Sequence, residues 1–198
     1  MHARYIVKDA FYKKAKKEGF RARSAYKLEE MQQKFALIKK GDKVLDLGAA
    51  PGSWLQLESA LVGEAGLVVG LDILPAAPLG ASKVVVRKAD IRRVDVQALL
   101  LELGIPAFDA VTSDVAPNLS GLREVDLARM RDLHEAVLRI ADVGLARGGN
   151  LVVKLFFSPD FADAAAGLKA RFSKVSAFKP KASRPVSDEM YLIGLRKL

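Results

Sequence analysis

The sequence predicts an α/β fold on a mostly parallel sheet, and three observations carry that expectation. From about residue 43 onward, short strand-like segments alternate with helix-like ones, the order expected of βα units. The strand-like runs are continuously apolar, as in strands buried on both faces of a parallel sheet. The chain has 198 residues, of which 51% are hydrophobic, without repeats, low-complexity tracts or a linker, so one continuous core in a single domain over 1–198 is expected.

Two helices precede the sheet. One is expected over 10–17. The other starts near Ser24 and places Ala25, Leu28, Met31 and Phe35 on one face. The connecting stretch GFRAR leaves Arg21 and Arg23 in a loop beside Tyr12, Phe20 and Tyr26, a mixture of cations and aromatics suited to RNA phosphates and unstacked bases. Strands are then expected at 43–47, 67–71, 84–87, 107–112 and 150–155, each closed by turn residues and most followed by a helical pattern. Two further strands, at 175–178 and 190–195, have no helix between them and are expected as an antiparallel pair at the sheet edge.

Charge divides the chain in three. The formal net charge is +9, with 13 Lys+Arg against 5 Asp+Glu in residues 1–43, 11 against 16 in 44–168, and 8 against 2 in 169–198. Basic ends around a mildly acidic middle form one cationic surface if the fold brings the ends together, which suits a phosphate backbone. There is no cysteine, so disulfide and thiolate chemistry are excluded, and His2 and His134 have no metal-ligand spacing. No metal is expected. No stretch of about 18 apolar residues is present, and the first residues are basic where a secretory signal needs an apolar centre. A soluble, cytoplasmic protein without a membrane partner is expected.

The run VLDLGAAPGSW follows the first strand and spaces Gly48 and Gly52 as GxxxG, unlike the GxGxxG of dinucleotide-binding folds. Small residues at 48–50 admit a ligand close to the backbone, at the carboxyl end of the sheet. Asp72 ends the second strand 20 residues beyond Gly52, where its carboxylate can accept both hydroxyls of a ribose. Asp90 ends the third strand and can accept a donor such as an adenine amino group. Singly these are ordinary turn residues; at the ends of three successive strands they point to a nucleoside ligand. The fourth strand ends in SDVAPNLSG, with Asp114 on the same rim. The fifth, VVKLFF, holds Lys154 among apolar neighbours, where an unpaired ammonium is expensive and Asp114 is the natural counter-ion.

Five stretches, KKAKKEGFRARSAYKLEEM, VLDLGAAPGSW, SDVAPNLSG, LVVKLFF and SRPVSDEMYLIGLRK, together resemble the FtsJ (RrmJ) family of S-adenosylmethionine-dependent ribose 2′-O-methyltransferases. The similarity is greatest to the bacterial branch that acts on large-subunit ribosomal RNA. The resemblance implies a Rossmann-like class I methyltransferase: a mostly parallel seven-stranded sheet with an antiparallel edge strand and helices on both faces. By the same resemblance Lys27, Asp114, Lys154 and Glu189 form the family's K-D-K-E tetrad. Gly52, Trp54, Asp72, Asp90 and Asp114 match positions that contact S-adenosylmethionine, and Gly48 belongs to the same loop. Ser53 stands where many relatives have a second glycine, and is expected to cap the following helix. The loop from 74 to 81 matches the family less well.

Methyl transfer aligns an attacking ribose oxygen with a methyl group and removes one weakly acidic proton, without needing a metal. A lysine, with an ordinary pKa of about 10.4, becomes a base only if burial or a neighbouring cation lowers it, and Lys27 could be that cation. Asp114 opposes this, so its expected role is to orient Lys154, while Glu189 fixes Lys27. Segment 1–42 is expected to bind RNA through residues such as Arg21 and Arg23, and 43–198 to hold the cofactor. Replacing both arginines is therefore expected to weaken RNA binding and spare cofactor binding. The bacterial branch modifies a uridine of the large subunit late in assembly. If that holds here, the partner is ribosomal RNA in the large subunit and the enzyme acts as a monomer. The same chemistry on transfer RNA, or an assembly factor that binds RNA without catalysis, are the competing readings. A small-molecule methyltransferase leaves the basic ends without a partner.

Overall fold

The computed structural model describes residues 10–80, 82–158, 160–184 and 187–198. The first nine residues of the basic segment, with His2, lie outside these, as does Ala81 at the end of the 74–81 loop.

The two leading helices are α1 (Ala10–Glu18) and α2 (Ala25–Phe35). In α2, Leu28 and Met31 are buried at helical spacing, and the helix stops where Ala36 turns left-handed and returns its N–H to Gln32. Next come β1 (Lys43–Leu47), α3 (Ser53–Val62), β2 (Leu67–Asp72) and β3 (Val84–Lys88). Helix α4 (Val96–Leu103) is capped by the Asp95 side chain on the Ala98 N–H and stopped by Gly104. Then follow β4 (Phe108–Ser113), the long α5 (Arg123–Gly144), β5 (Leu145–Phe156), α6 (Phe161–Lys169), β6 (Phe172–Phe178) and β7 (Glu189–Lys197).

The seven strands lie in the order β3-β2-β1-β4-β5-β7-β6, and β1 to β5 pair in parallel. Strand β7 is antiparallel to both β5 and β6, so the late pair is antiparallel as expected, but β7 lies inside the sheet and β6 forms the edge. The side chains give the reason. In β7 Tyr191, Leu192 and Ile193 are consecutive and buried, whereas β6 exposes Ser173 and Lys174, the pattern of a protected edge. Strand β5 also starts earlier than the apolar run suggests, directly where α5 ends.

Alternate residues of the strands feed two cores. Leu45, Val69, Val111 and Val153 pack with Leu99, Val137, Ile140 and Leu168 of α4, α5 and α6. Their neighbours Val44, Val68, Ala110 and Val152 pack with Leu28, Met31, Trp54 and Leu55 of α2 and α3. The strand order reverses between β1 and β4, and such a switch point opens a crevice at the carboxyl ends of the strands. No helix among the described residues is long and apolar enough to cross a membrane.

Candidate active site

Strands β5 and β7 run in a register that sets Lys154 opposite Tyr191 and Phe156 opposite Glu189. Side chains two apart share a face, so Tyr191 and Glu189 project with Lys154 towards α2, which presents Lys27. Lys27 Nζ lies 2.5 Å from Glu189 Oε1 and 4.0 Å from Asp114 Oδ1, and donates to the Tyr191 hydroxyl at 3.3 Å. Lys154 Nζ is 3.0 Å from Asp114 Oδ1 and also donates to the Asp114 backbone carbonyl. The Tyr191 hydroxyl donates to Asp114 Oδ1 at 2.6 Å, and Ser183 donates to Glu189 Oε1 at 2.8 Å.

Only 8% of Lys27 and 6% of Lys154 is exposed, so these ammonium groups depend on their carboxylates. Two cations and two anions balance. Tyr191 stands at the middle of the four and was not singled out in the sequence. Burial, then the negative charges of Asp114 and Glu189, push its pKa well above the ordinary phenol value, so it remains a proton donor. The signal for it was its place two residues after Glu189, on the same strand face.

Beside this cluster, at the switch point, lies a cavity of about 350 Å³ lined by Gly48, Asp72, Ile73, Asp90, Pro117 and Asn118. Asp114 directly precedes Val115, Ala116 and Pro117 of its wall, which joins cavity and tetrad. Gly48 has φ +86°, and a Cβ there would stand 2.9 Å from the backbone N and Cα of Val115, so the loop depends on glycine. Asp72 Oδ2 accepts the Ala50 N–H at 2.9 Å and Oδ1 the Leu74 N–H at 2.8 Å. Each oxygen keeps a lone pair for a hydroxyl from the cavity. The side-chain hydrogen bonds from Arg92 pull the pKa of Asp90 down to about 2, so it stays ionised at the cavity wall, with both oxygens already accepting from Arg92. A cradle that only glycine permits, the acceptor carboxylate of Asp72 and the negative charge of Asp90 fit a nucleoside-bearing cofactor.

Five other expected residues have different surroundings. The Trp54 indole is buried, donates to the Ser24 carbonyl at 2.8 Å and packs 6.1 Å from the Tyr191 ring; it ties α3 to α2 and does not line the cavity. Ser53 makes no cap, because Gly52 occupies the cap position and the Ser53 hydroxyl is spent on Ser24 Oγ at 2.8 Å. The Arg21 guanidinium donates to the carbonyls of Pro51, Ala77 and Pro78, so three of its five donors are committed within the protein. Gly52 faces Arg21 and does not line the cavity. Arg23 is half-buried, and burial followed by the charge of Arg184 lowers its pKa, with Glu189 acting the other way.

Beneath the loop, Asp46 and Glu58 are fully buried. Glu58 Oε1 accepts from Thr112 at 2.7 Å, while Glu58 Oε2 and both Asp46 oxygens have no hydrogen-bond partner among the described residues. Burial raises the Glu58 pKa to about 7 against a partial opposing effect of Thr112. Burial, then the charges of Glu58, Asp114 and Asp72, carries Asp46 well above the ordinary range. These carboxyls hold protons more tightly folded than unfolded. Their neutral forms stabilise fully below the unfolded pKa, and that contribution is lost as pH rises through the folded value. Melting curves should therefore show stability falling between about pH 5 and pH 8. Glu58→Gln, which still accepts from Thr112, should flatten that fall and gain about 1–3 kcal/mol at pH 8. A pH profile unchanged by the substitution would mean Glu58 is already ionised when folded.

The FtsJ-like methyltransferase family model matches residues 20–197. A ribosomal RNA large subunit methyltransferase E from Bdellovibrio bacteriovorus is 43% identical over 194 residues, covering 98% of both chains. The protein of the same name from Methanothrix thermoacetophila is 47% identical over 96% of this chain and 73% of its own. A crystal structure of a Plasmodium falciparum protein described as a ribosomal RNA methyltransferase superposes with a TM-score of 0.79 at 26% identity, covering 90% of this chain and 99% of that one. With the seven-stranded sheet, the cavity at its switch point and the assembled K-D-K-E cluster beside it, the chain belongs to the FtsJ-like methyltransferase family.

Proposed function

We propose that this chain transfers the methyl group of S-adenosylmethionine to the ribose 2′-oxygen of a uridine in large-subunit ribosomal RNA, on the assembled subunit. The observation that carries the reading is the Lys27, Asp114, Lys154 and Glu189 cluster around Tyr191, against the wall of a nucleoside-sized cavity. Similarity to relatives named for the large subunit supplies the substrate. Gly48 and the loop to Gly52 would hold the cofactor, Asp72 its ribose and Asp90 its adenine. Bound there, the cofactor supplies an electrophilic methyl on a sulfonium.

Everything else falls to the chain's own residues. Lys154 sets the direction of the attacking 2′-oxygen, and it takes the hydroxyl proton as it passes one of its own to the Asp114 carboxylate, from which the proton goes on to solvent. Asp114 holds Lys154 from its carboxylate and its carbonyl, which leaves one ammonium N–H to aim outward. Glu189 fixes Lys27, whose charge offsets Asp114. One chain supplies every group, so a monomer suffices, and the place of action is the cytoplasm, where ribosomes are built.

RNA reaches this mouth over the basic segment, of which 10–42 are described. Arg23 and Arg184 repel each other near Glu189, and an RNA phosphate between them relieves that repulsion. Replacing both with alanine should flatten the log-log salt dependence of RNA binding by about one to two, with cofactor affinity unchanged. An unaltered slope would move the RNA path elsewhere. The function itself is tested with labelled S-adenosylmethionine offered to large subunits, free ribosomal RNA and transfer RNA, all from a source lacking the modification. Label on large subunits is expected; label confined to transfer RNA would replace the substrate, and label on none would leave an RNA-binding assembly factor.

A further inference from the structure

We infer that Arg21 is a positioning residue of the cofactor site: its guanidinium clasps the loop after β2 to the loop after β1, and so sets the distance between the walls that hold the cofactor. The inference rests on reading the cavity as the S-adenosylmethionine site.

Arg21 lies in the basic segment, 30 residues before Pro51 and 56 before Ala77, yet its side chain joins both. Nη1 donates to the Pro51 carbonyl at 3.1 Å and to that of Ala77, and Nη2 donates to Pro78 at 2.9 Å. Its backbone is held as well. The Arg21 N–H donates to Gln56 Oε1 at 2.9 Å, and Gln56 Nε2 donates to Gly19 at 2.9 Å, which staples 19–21 onto α3. Gly52 completes the seat, because a Cβ there would stand 2.5 Å from Arg21 Nη1. That supplies a reason for glycine at 52 separate from contact with the cofactor.

The loop held this way contains neither helix nor strand from 73 to 80, and exposes 54% of Ile73 and 60% of Leu74. Of its apolar residues Leu79 packs partly against the α2–α3 core, and the rest of its hold comes from polar ties. There are two such ties to the 48–52 loop. Asp72 bridges the N–H groups of Ala50 and Leu74, and Arg21 bridges the carbonyls of Pro51, Ala77 and Pro78. Anion bridging amides and cation bridging carbonyls close one ring around the start of both loops. Only a planar fork with several fixed donors reaches three carbonyls; a lysine presents one point charge. Only the Nε–H and one Nη2–H remain for an RNA phosphate, which would have to displace charge-assisted bonds to take more.

The test measures S-adenosylmethionine affinity by calorimetry, amide exchange over 73–80, and the salt dependence of RNA binding. Wild type is compared with Arg21→Ala, Arg21→Lys and Asp72→Ala, with melting curves to verify folding. Arg21→Ala should weaken cofactor affinity about tenfold, about 1.4 kcal/mol. It should also speed exchange in 73–80, raise the KM for S-adenosylmethionine more than it lowers kcat, and leave the RNA salt slope unchanged. Arg21→Lys, the variant to rely on if the alanine protein does not fold, should restore little of the affinity. Overturning results are unchanged cofactor affinity and exchange with a flatter salt slope, which would make Arg21 a phosphate contact, or full rescue by lysine. If wild type itself fails to bind S-adenosylmethionine, the cofactor reading falls and takes this inference with it. If wild type binds and Asp72→Ala does not, while Arg21→Ala binds normally, only the inference falls.

Discussion

Lys154→Ala is expected to lower methyl transfer by about 10²–10⁴-fold while S-adenosylmethionine binds with near-normal affinity. The two effects separate because Lys154 belongs to the tetrad and does not line the cavity. Among the described residues its ammonium is held by Asp114, through carboxylate and carbonyl, so alanine removes one buried charge and leaves Asp114 with the Tyr191 hydroxyl and the more distant Lys27. The aim of the attacking oxygen is lost, and a displacement geometry off by about 1 Å costs on the order of 10²-fold by itself. Single-turnover transfer with saturating cofactor, alongside calorimetry, reads both quantities. Near-normal turnover would remove Lys154 from the reaction.

Asp114→Asn should be at least as damaging to turnover and more damaging to the fold. Asp114 Oδ1 is the point where Lys154, Lys27 and Tyr191 meet, at 3.0, 4.0 and 2.6 Å. Asparagine keeps the shape and removes the charge, which leaves two largely buried ammoniums facing one carboxylate, Glu189. Breaking a buried pair from one side costs about 3–5 kcal/mol. Denaturant unfolding should show a loss of that size, and adding Lys154→Ala should return part of it because the stranded cation is gone. Turnover of the double variant should be close to that of either single one, since the two residues act as a unit. Fully additive losses would mean that Asp114 and Lys154 act separately.

Strand positions could be read because buried parallel strands announce themselves as apolar runs: β1 has the bounds its sequence suggests, β2 and β3 run one residue further, β4 is shifted by one, and β5, β6 and β7 are longer than their apolar runs. The place of β7 could not be read from strand order, since nothing local states which neighbour a strand takes. The contrast between YLI in β7 and SK in β6 does carry that information once seen. Lys154 and Asp114 were legible because a lysine in an apolar run demands a partner. Tyr191 was not, because a tyrosine in such a run is ordinary core until its hydroxyl is placed. Asp46 and Glu58 were overlooked for a related reason: burial, which no motif reports, makes their carboxyls unusual. Arg21 shows the opposite failure. A cation in a basic loop beside aromatics has the composition of an RNA contact, and only the fold brings the 48–52 and 73–80 loops together to supply the carbonyls that occupy it.

The proposed activity requires the methyl group to reach a ribose oxygen of large-subunit RNA. The direct measurement is mass analysis of nucleosides from unmodified large subunits incubated with this protein and isotopically labelled S-adenosylmethionine. The expected result is a single new 2′-O-methyluridine that is absent with Lys154→Ala. A label on a nucleobase, or the same ribose label with the Lys154→Ala protein, would contradict it.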